Sequence, residues 1–224
     1  MPRNKYPEET VQKIIETSLK LFLEKGYEQT TVLDIVANLG GLTRGAFYHH
    51  FKSKEEVLEA IFSARVNEYN PFEAAMGAKV ANGLERLKLS LKAALMDNIS
   101  TEQDTAMTQF AFSLMLNPRF LQEKLKGDIN TAAMLTPIVE EGMKDGSIRP
   151  GNPKIIAELF MLLANIWLMP SIFPADYEET LEKARLIAEI MESVGCPILD
   201  EEMREIFEKV ISIIDKYDQE YSKK

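Results

Sequence analysis

Side chains able to do covalent or metal chemistry are scarce in this 224-residue chain, and their spacing excludes most of it. The histidines are His49 and His50, and the one cysteine is Cys196. Adjacent residues on a helix diverge by about 100°, so the histidines share no chelate and form no triad with the distant cysteine. No HExxH, CxxC or phosphate-binding glycine loop occurs. Cys196, just before Pro197, reads as structural. The pairs Glu178-Glu179 and Glu201-Glu202 read as helix starts, where carboxylates complement the dipole. No catalytic residue, metal site or cofactor is expected.

What remains is recognition chemistry, concentrated in one short run. Arg44 carries a planar fork that matches guanine O6 and N7. Thr31, Thr43, Tyr48, Lys52 and Lys54 supply hydroxyls and ammoniums suited to phosphate oxygens. A run of this kind needs a rigid scaffold, and the periodicity around it supplies one. The first helix is expected from Pro7 to Lys25, with Val11, Ile14, Ile15, Leu19 and Phe22 as its inner stripe and Gly26 as its stop. Thr31 with Asp34 opens a second helix carrying Val32, Ile35, Val36 and Leu39, which Gly40-Gly41 ends. Thr43 caps a short third helix to His50. The Ser53–Glu56 capping box opens a fourth, carrying Val57, Leu58, Ile61 and Phe62 as far as Asn70.

On a helical wheel Phe47 and Phe51 fall within about 40° of one another and must point inward. Gly45, Ala46 and His49 then face outward, flanked by Arg44 and Tyr48 on one side and His50 on the other. Glycine inside a helix costs about 1 kcal/mol relative to alanine. On an outward face the missing side chain lets the backbone approach a groove. The DNA-contact set expected from sequence is therefore Thr31, Thr43, Arg44, Gly45, Tyr48, His49, His50, Lys52 and Lys54.

Residues 31–61 closely resemble the DNA-binding head of the TetR family. The likeness is carried by Thr31, Asp34-Ile35, the glycine turn, Thr43-Arg44-Gly45, Phe47-Tyr48 and Phe51-Lys52-Ser53-Lys54-Glu55-Glu56. One feature departs: Gly40-Gly41-Leu42 is one residue longer than the family's usual turn. The resemblance implies an all-α protein: a helix-turn-helix domain over 1–52, a connecting helix over 53–70, and a ligand-binding and dimerisation domain over 71–224. It also implies a cytoplasmic regulator that binds a roughly palindromic duplex as a homodimer, a repressor released from its operator by an effector. A DNA-binding regulator controlled by a protein partner is the alternative.

Charge and composition agree with this division. The net charge is −9, but residues 1–54 sum to +2 and residues 55–224 to −11, a weakly basic head on an acidic body. Met1 to Thr10 lacks the apolar stretch of an export signal. The apolar run Ile155–Met169 is interrupted by Glu158 and Asn165 and reads as a core helix, so no membrane is expected as a partner. The body reads as helices over Asn82–Ser100, Thr105–Leu116, Asp128–Lys144, Pro153–Ile172, Tyr177–Val194 and Glu201–Tyr217. Met96, Met107, Phe110, Met115, Met134 and Trp167 are the expected lining of a pocket for an apolar small-molecule effector. The helix from Pro153, apolar nearly all round, and Leu181–Val194 are the expected dimer surfaces.

Overall fold

The computed structural model describes residues 7–68, 71–97, 99, 101–115 and 117–221, and every regular element among them is helical. The chain divides into two compact units, Met1–Asn70 and Pro71–Lys224. Asn70, Ser100 and Leu116, expected as helix ends, lie outside the described residues.

The first unit holds α1 (Pro7–Lys25), α2 (Val32–Asn38), α3 (Arg44–His50) and α4 (Lys54–Glu68). Its core is Ile14, Phe22, Ile35, Leu39, Phe47, Phe51, Val57 and Ile61, all buried. On α1 the stripe is rotated from the one expected. Ile14, Ser18, Leu21 and Phe22 are buried, while Val11, Ile15 and Leu19 are only half-buried. The small Ser18 is turned inward on α1, which packs against α4. Gly26 ends α1 in the left-handed region (φ 84°), its amide donating to the Phe22 carbonyl.

The second unit holds α5 (Pro71–Met76), α6 (Gly83–Asp97), α7 (Glu102–Ser113), α8 (Pro118–Asp145), α9 (Pro153–Leu162), α10 (Tyr177–Ser193) and α11 (Glu201–Tyr221). Leu87 and Leu91 of α6, Leu135 and Ile138 of α8, and Phe160 of α9 share one apolar core with Ile187 and Met191 of α10 and Phe207 of α11. Two elements differ from the sequence expectation. First, α8 begins ten residues before Asp128, because the Asn117 Oδ1 accepts from the Arg119 and Phe120 amides and Pro118 occupies the position that needs no donor. Second, α9 does not run helically to Ile172. It widens into a π-helical turn at Leu163–Trp167, where the Leu168 amide donates to the Leu163 carbonyl.

The tightest joint in this unit is between the start of α6 and the end of α8. Asp145 Oδ2 accepts from the Gly83 amide at 2.6 Å, and Ser147 Oγ accepts from the Leu84 amide at 3.1 Å. The end of one helix thus caps the start of another, and these donors hold the Asp145 carboxyl below the usual aspartate range, the Ser147 hydroxyl foremost. Arg86 ties α5 to the same place, pairing with Glu141 at 2.9 Å and donating to the Ala75 and Ala78 carbonyls. A Cβ at position 83 would stand 2.2 Å from the Gly142 nitrogen and 2.5 Å from its Cα. Both are backbone atoms that cannot step aside. Gly83→Ala is therefore expected to lower stability by about 1–3 kcal/mol, as overpacking does, read as a shift in the urea midpoint. An unchanged midpoint would refute the close approach.

Candidate nucleic-acid interface

At seven residues α3 is too short to persist by propensity alone, so its ends and inner face must hold it. The Thr43 hydroxyl oxygen accepts from the Ala46 amide at 3.2 Å, capping the first turn. Phe47 is fully buried and Phe51 nearly so, with ring centroids 6.2 Å apart. With those rings inside, Arg44, Gly45, Tyr48 and His49 are exposed, and His50 is half-buried against His49.

The Arg44 guanidinium lies 5.5 Å from the centre of the Tyr48 ring, a stacking contact that steers the side chain without using its donors. Gly45 has no internal reason to be glycine: the nearest atom to an added Cβ is the Thr43 Oγ1, 3.9 Å away. Thr43 uses its oxygen as an acceptor, which leaves its hydrogen to donate outward. The α2–α3 turn is made by Gly40 (φ 62°) and Gly41 (φ 102°), both in the left-handed region that favours glycine.

The remaining expected contacts separate into two groups. Lys52 is exposed, its ammonium at 4.0 Å from Glu56. The Glu56 carboxylate accepts from the Lys52 amide at 2.7 Å, so the expected capping box reaches one residue further back than Ser53. Thr31 and Lys54 are engaged within the protein. Thr31 forms a full capping box with Asp34, its hydroxyl donating to Asp34 Oδ2 at 2.7 Å. The Lys54 ammonium donates to the Tyr27 carbonyl at 2.8 Å and sits 4.3 Å over the Tyr27 ring. Instead of standing free as sequence implied, it pins the start of α4 to the loop after α1. Tyr27 reinforces the pin through its hydroxyl, which donates to Glu55 at 3.1 Å. Sequence reading missed both Tyr27 and the Lys25–Asp34 ion pair at 2.9 Å, since each crosses a helix break where periodicity carries no signal.

The family model described as bacterial regulatory proteins, tetR family, matches residues 14–61. HTH-type transcriptional regulator SrpR of Pseudomonas putida is 34% identical over 102 residues, 46% of this chain and 45% of its own length. The uncharacterised HTH-type regulator TtgW, also of Pseudomonas putida, is 34% identical over 101 residues, which span 45% of this chain and 71% of TtgW. The chain belongs to the TetR family. A TetR-family regulator structure from Syntrophomonas wolfei shares the fold, with a TM-score of 0.60 at 20% identity over 87% of this chain and 98% of that one. The TetR-family match runs from Ile14 to Ile61, both buried in the first unit, and so spans the core that holds α3.

Outside that TetR-family region the expected pocket residues differ in burial. Met107, Phe110 and Met115 are buried, and Met96 and Trp167 are half-buried against the core. Met134 is 38% exposed, because α8 buries the register Ala132, Leu135, Ile138, Val139 and Gly142 and turns 134 outward. A void of about 10 Å³, the space of one water molecule, lies between Leu87, Leu135, Phe160, Met191 and Cys196. None of the six expected residues lines it. Burial pushes the Cys196 thiol up to about 12, so it is inert near neutral pH. Among the described residues no group of three or more His, Cys, Asp or Glu could hold a metal ion, and no helix is long and apolar enough to cross a membrane.

The Asp34 carboxyl is held far below the usual aspartate range, first by the Lys25 ammonium and then by the Thr31 hydroxyl and amide. A carboxylate depressed in the folded state contributes fully above the unfolded pKa, near 4, and loses that contribution progressively as pH falls from there toward its much lower folded value. Asp34→Asn is expected to melt at a lower temperature than the wild type at pH 7. The gap should begin to narrow as pH drops below about 4 and go on narrowing with further acidification. A gap that stays constant from pH 7 to pH 3 would show that the charge at Asp34 is irrelevant.

Proposed function

We propose that this chain is a sequence-specific, dimeric DNA-binding repressor released from its operator by an apolar small molecule. One observation carries the reading: the outward face of α3, where Arg44 offers uncommitted donors and Gly45 is bare without any packing need. A helix with that face fits the major groove, Arg44 pairing with guanine and the backbone at Gly45 approaching closely. Thr43 and Lys52 take flanking phosphates, and Tyr48, His49 and His50 complete the face. Lys54 and Thr31 serve by holding α2 and α4 in place around α3.

Dimerisation is supported by α9, whose inner side buries Ile156, Ala157, Phe160 and Met161. Its outer side still shows apolar residues, Ile155 at 59% and Leu162 at 57% exposed, with Leu159 half-buried between them. Leu186 of α10 is a further exposed apolar residue, at 45%. A stripe spaced i, i+4, i+7 is what one helix offers another. Paired recognition helices would then read half-sites about 34–36 Å apart or a multiple of that. An effector must enlarge the body to enter it. It would bind an open conformation better, and linkage requires that DNA and effector weaken one another by the same factor.

Two measurements test the reading. A duplex is enriched from a random library by binding to the protein, and variants are then compared on it. Arg44→Ala is expected to cost about 1–3 kcal/mol and to relax the preference at one base pair. Gly45→Ala is expected to raise the melting temperature of the free protein, by up to about 1 kcal/mol in stability, while weakening the same duplex. Failure to enrich any sequence would sink the proposal. Separately, Leu162→Glu is expected to convert a dimer to a monomer by light scattering at micromolar concentration. A dimer that survives the substitution would move the interface elsewhere.

A further inference from the structure

The cations of the first unit are not equivalent. Lys20 pairs with Glu24 at 3.9 Å, Lys25 with Asp34 at 2.9 Å and Lys52 with Glu56 at 4.0 Å. Lys54 is bonded to backbone carbonyls. Among the residues of this unit whose side chains are described, the cations left without an acidic or hydrogen-bond partner are Arg44 and Lys13. Lys13 is exposed on α1, with Glu9 four residues before it and Glu16 three residues after it, spacings at which helical ion pairs form. It takes neither, and Glu16 accepts the Gln12 amide at 3.0 Å.

The Lys13 ammonium lies instead against the α2–α3 turn, 3.6 Å from the point where a Gly40 Cβ would stand. That turn is bare. Gly40 and Gly41 are both exposed, and nothing lies within 4 Å of a Cβ added at Gly41. Any side chain at position 40 would stand beside the ammonium and screen it. The glycine pair therefore does two things: it makes the turn, and it leaves a positive charge uncovered immediately before Thr43 and Arg44.

We infer that Lys13 is a phosphate clamp: its ammonium, beside the bare Gly40-Gly41 turn, takes a DNA backbone phosphate while Arg44 faces the bases. This rests on the DNA-binding reading of α3 and adds to it a contact from a different helix. A phosphate contact fixes orientation and carries no sequence information, so its signature is separable from that of Arg44. Each phosphate neutralised adds about 0.9 to the slope of log affinity against log salt. A dimer with one Lys13 on each half-site would lose about 1.8 from that slope when the charge is removed.

The test uses the full-length protein and the duplex enriched by the wild type, titrated between 50 and 200 mM salt. Lys13→Gln is expected to flatten the slope by about 1.8, so that it gives up about tenfold less affinity than the wild type over this range, with base preference unchanged. Lys13→Arg is expected to restore the wild-type slope, and both variants should melt like the wild type. A Lys13→Gln slope equal to the wild type's, on a duplex that still loses preference with Arg44→Ala, overturns the clamp and leaves the DNA reading standing. A wild type that enriches no duplex overturns both. A flattened slope that Lys13→Arg does not restore also overturns it, because a charge contact is indifferent to that exchange.

Discussion

Burial of Phe47 and Phe51 is the interaction on which the first unit depends. A seven-residue helix closes too few hydrogen bonds to offset the cost of its own nucleation. Each ring withdrawn from water contributes about 1.5–3 kcal/mol, and two rings one turn apart fix the rotation of α3 about its axis. Once that rotation is set, the placement of Arg44, Gly45, Tyr48 and His49 follows without further choice. The contacts around α3 hold its neighbours to the same frame: the Thr31–Asp34–Lys25 network fixes α2, and Lys54 on the Tyr27 carbonyl fixes α4. Recognition chemistry and core packing are thus two faces of one helix.

This is also why the first unit was legible. Its signals are local: Thr43 capping Ala46, Gly26 ending α1, and phenylalanines spaced by four are all read within one or two turns of chain. What escaped was what crosses between elements. Nothing near Lys54 in sequence announces that it meets Tyr27, twenty-seven residues earlier. A stripe of apolar residues alone on α1 omits Ser18, which is small and polar yet fully buried on that face. The family resemblance, confined to the same short stretch, shares both the strength and the blind spot.

The second unit was read less well, for physical reasons that differ from element to element. Asn117-Pro118 is both a loop signal and a good helix start, and the choice turns on whether Asn117 Oδ1 finds the amides it accepts from. The π-helical turn at Leu163–Trp167 arises inside a largely apolar run that Glu158 and Asn165 interrupt, with no proline or glycine to mark it. Periodicity could name methionines on a helix but not the register in which α8 packs, and so it placed Met134 inside. A pocket is a property of space left between helices. One such space, of a single water's volume, is walled by Leu87, Leu135, Phe160, Met191 and Cys196 rather than by the residues whose chemistry suggested a pocket.

The joint between α6 and α8 shows how much can rest on the absence of a side chain. Gly83 and Gly142 bring two backbones together, and Asp145, Ser147 and Arg86 bond across the contact. Cys196 makes the complementary point about a side chain that is present. It is the only thiol in the chain, it has no exposed surface, and its proton is held to about 12. Near neutral pH its reactive anion amounts to roughly one part in 10⁴ or less. The native protein is therefore already a blank background for spectroscopy: a cysteine introduced at any exposed position would accept a spin label or fluorophore alone, with no need to remove the original.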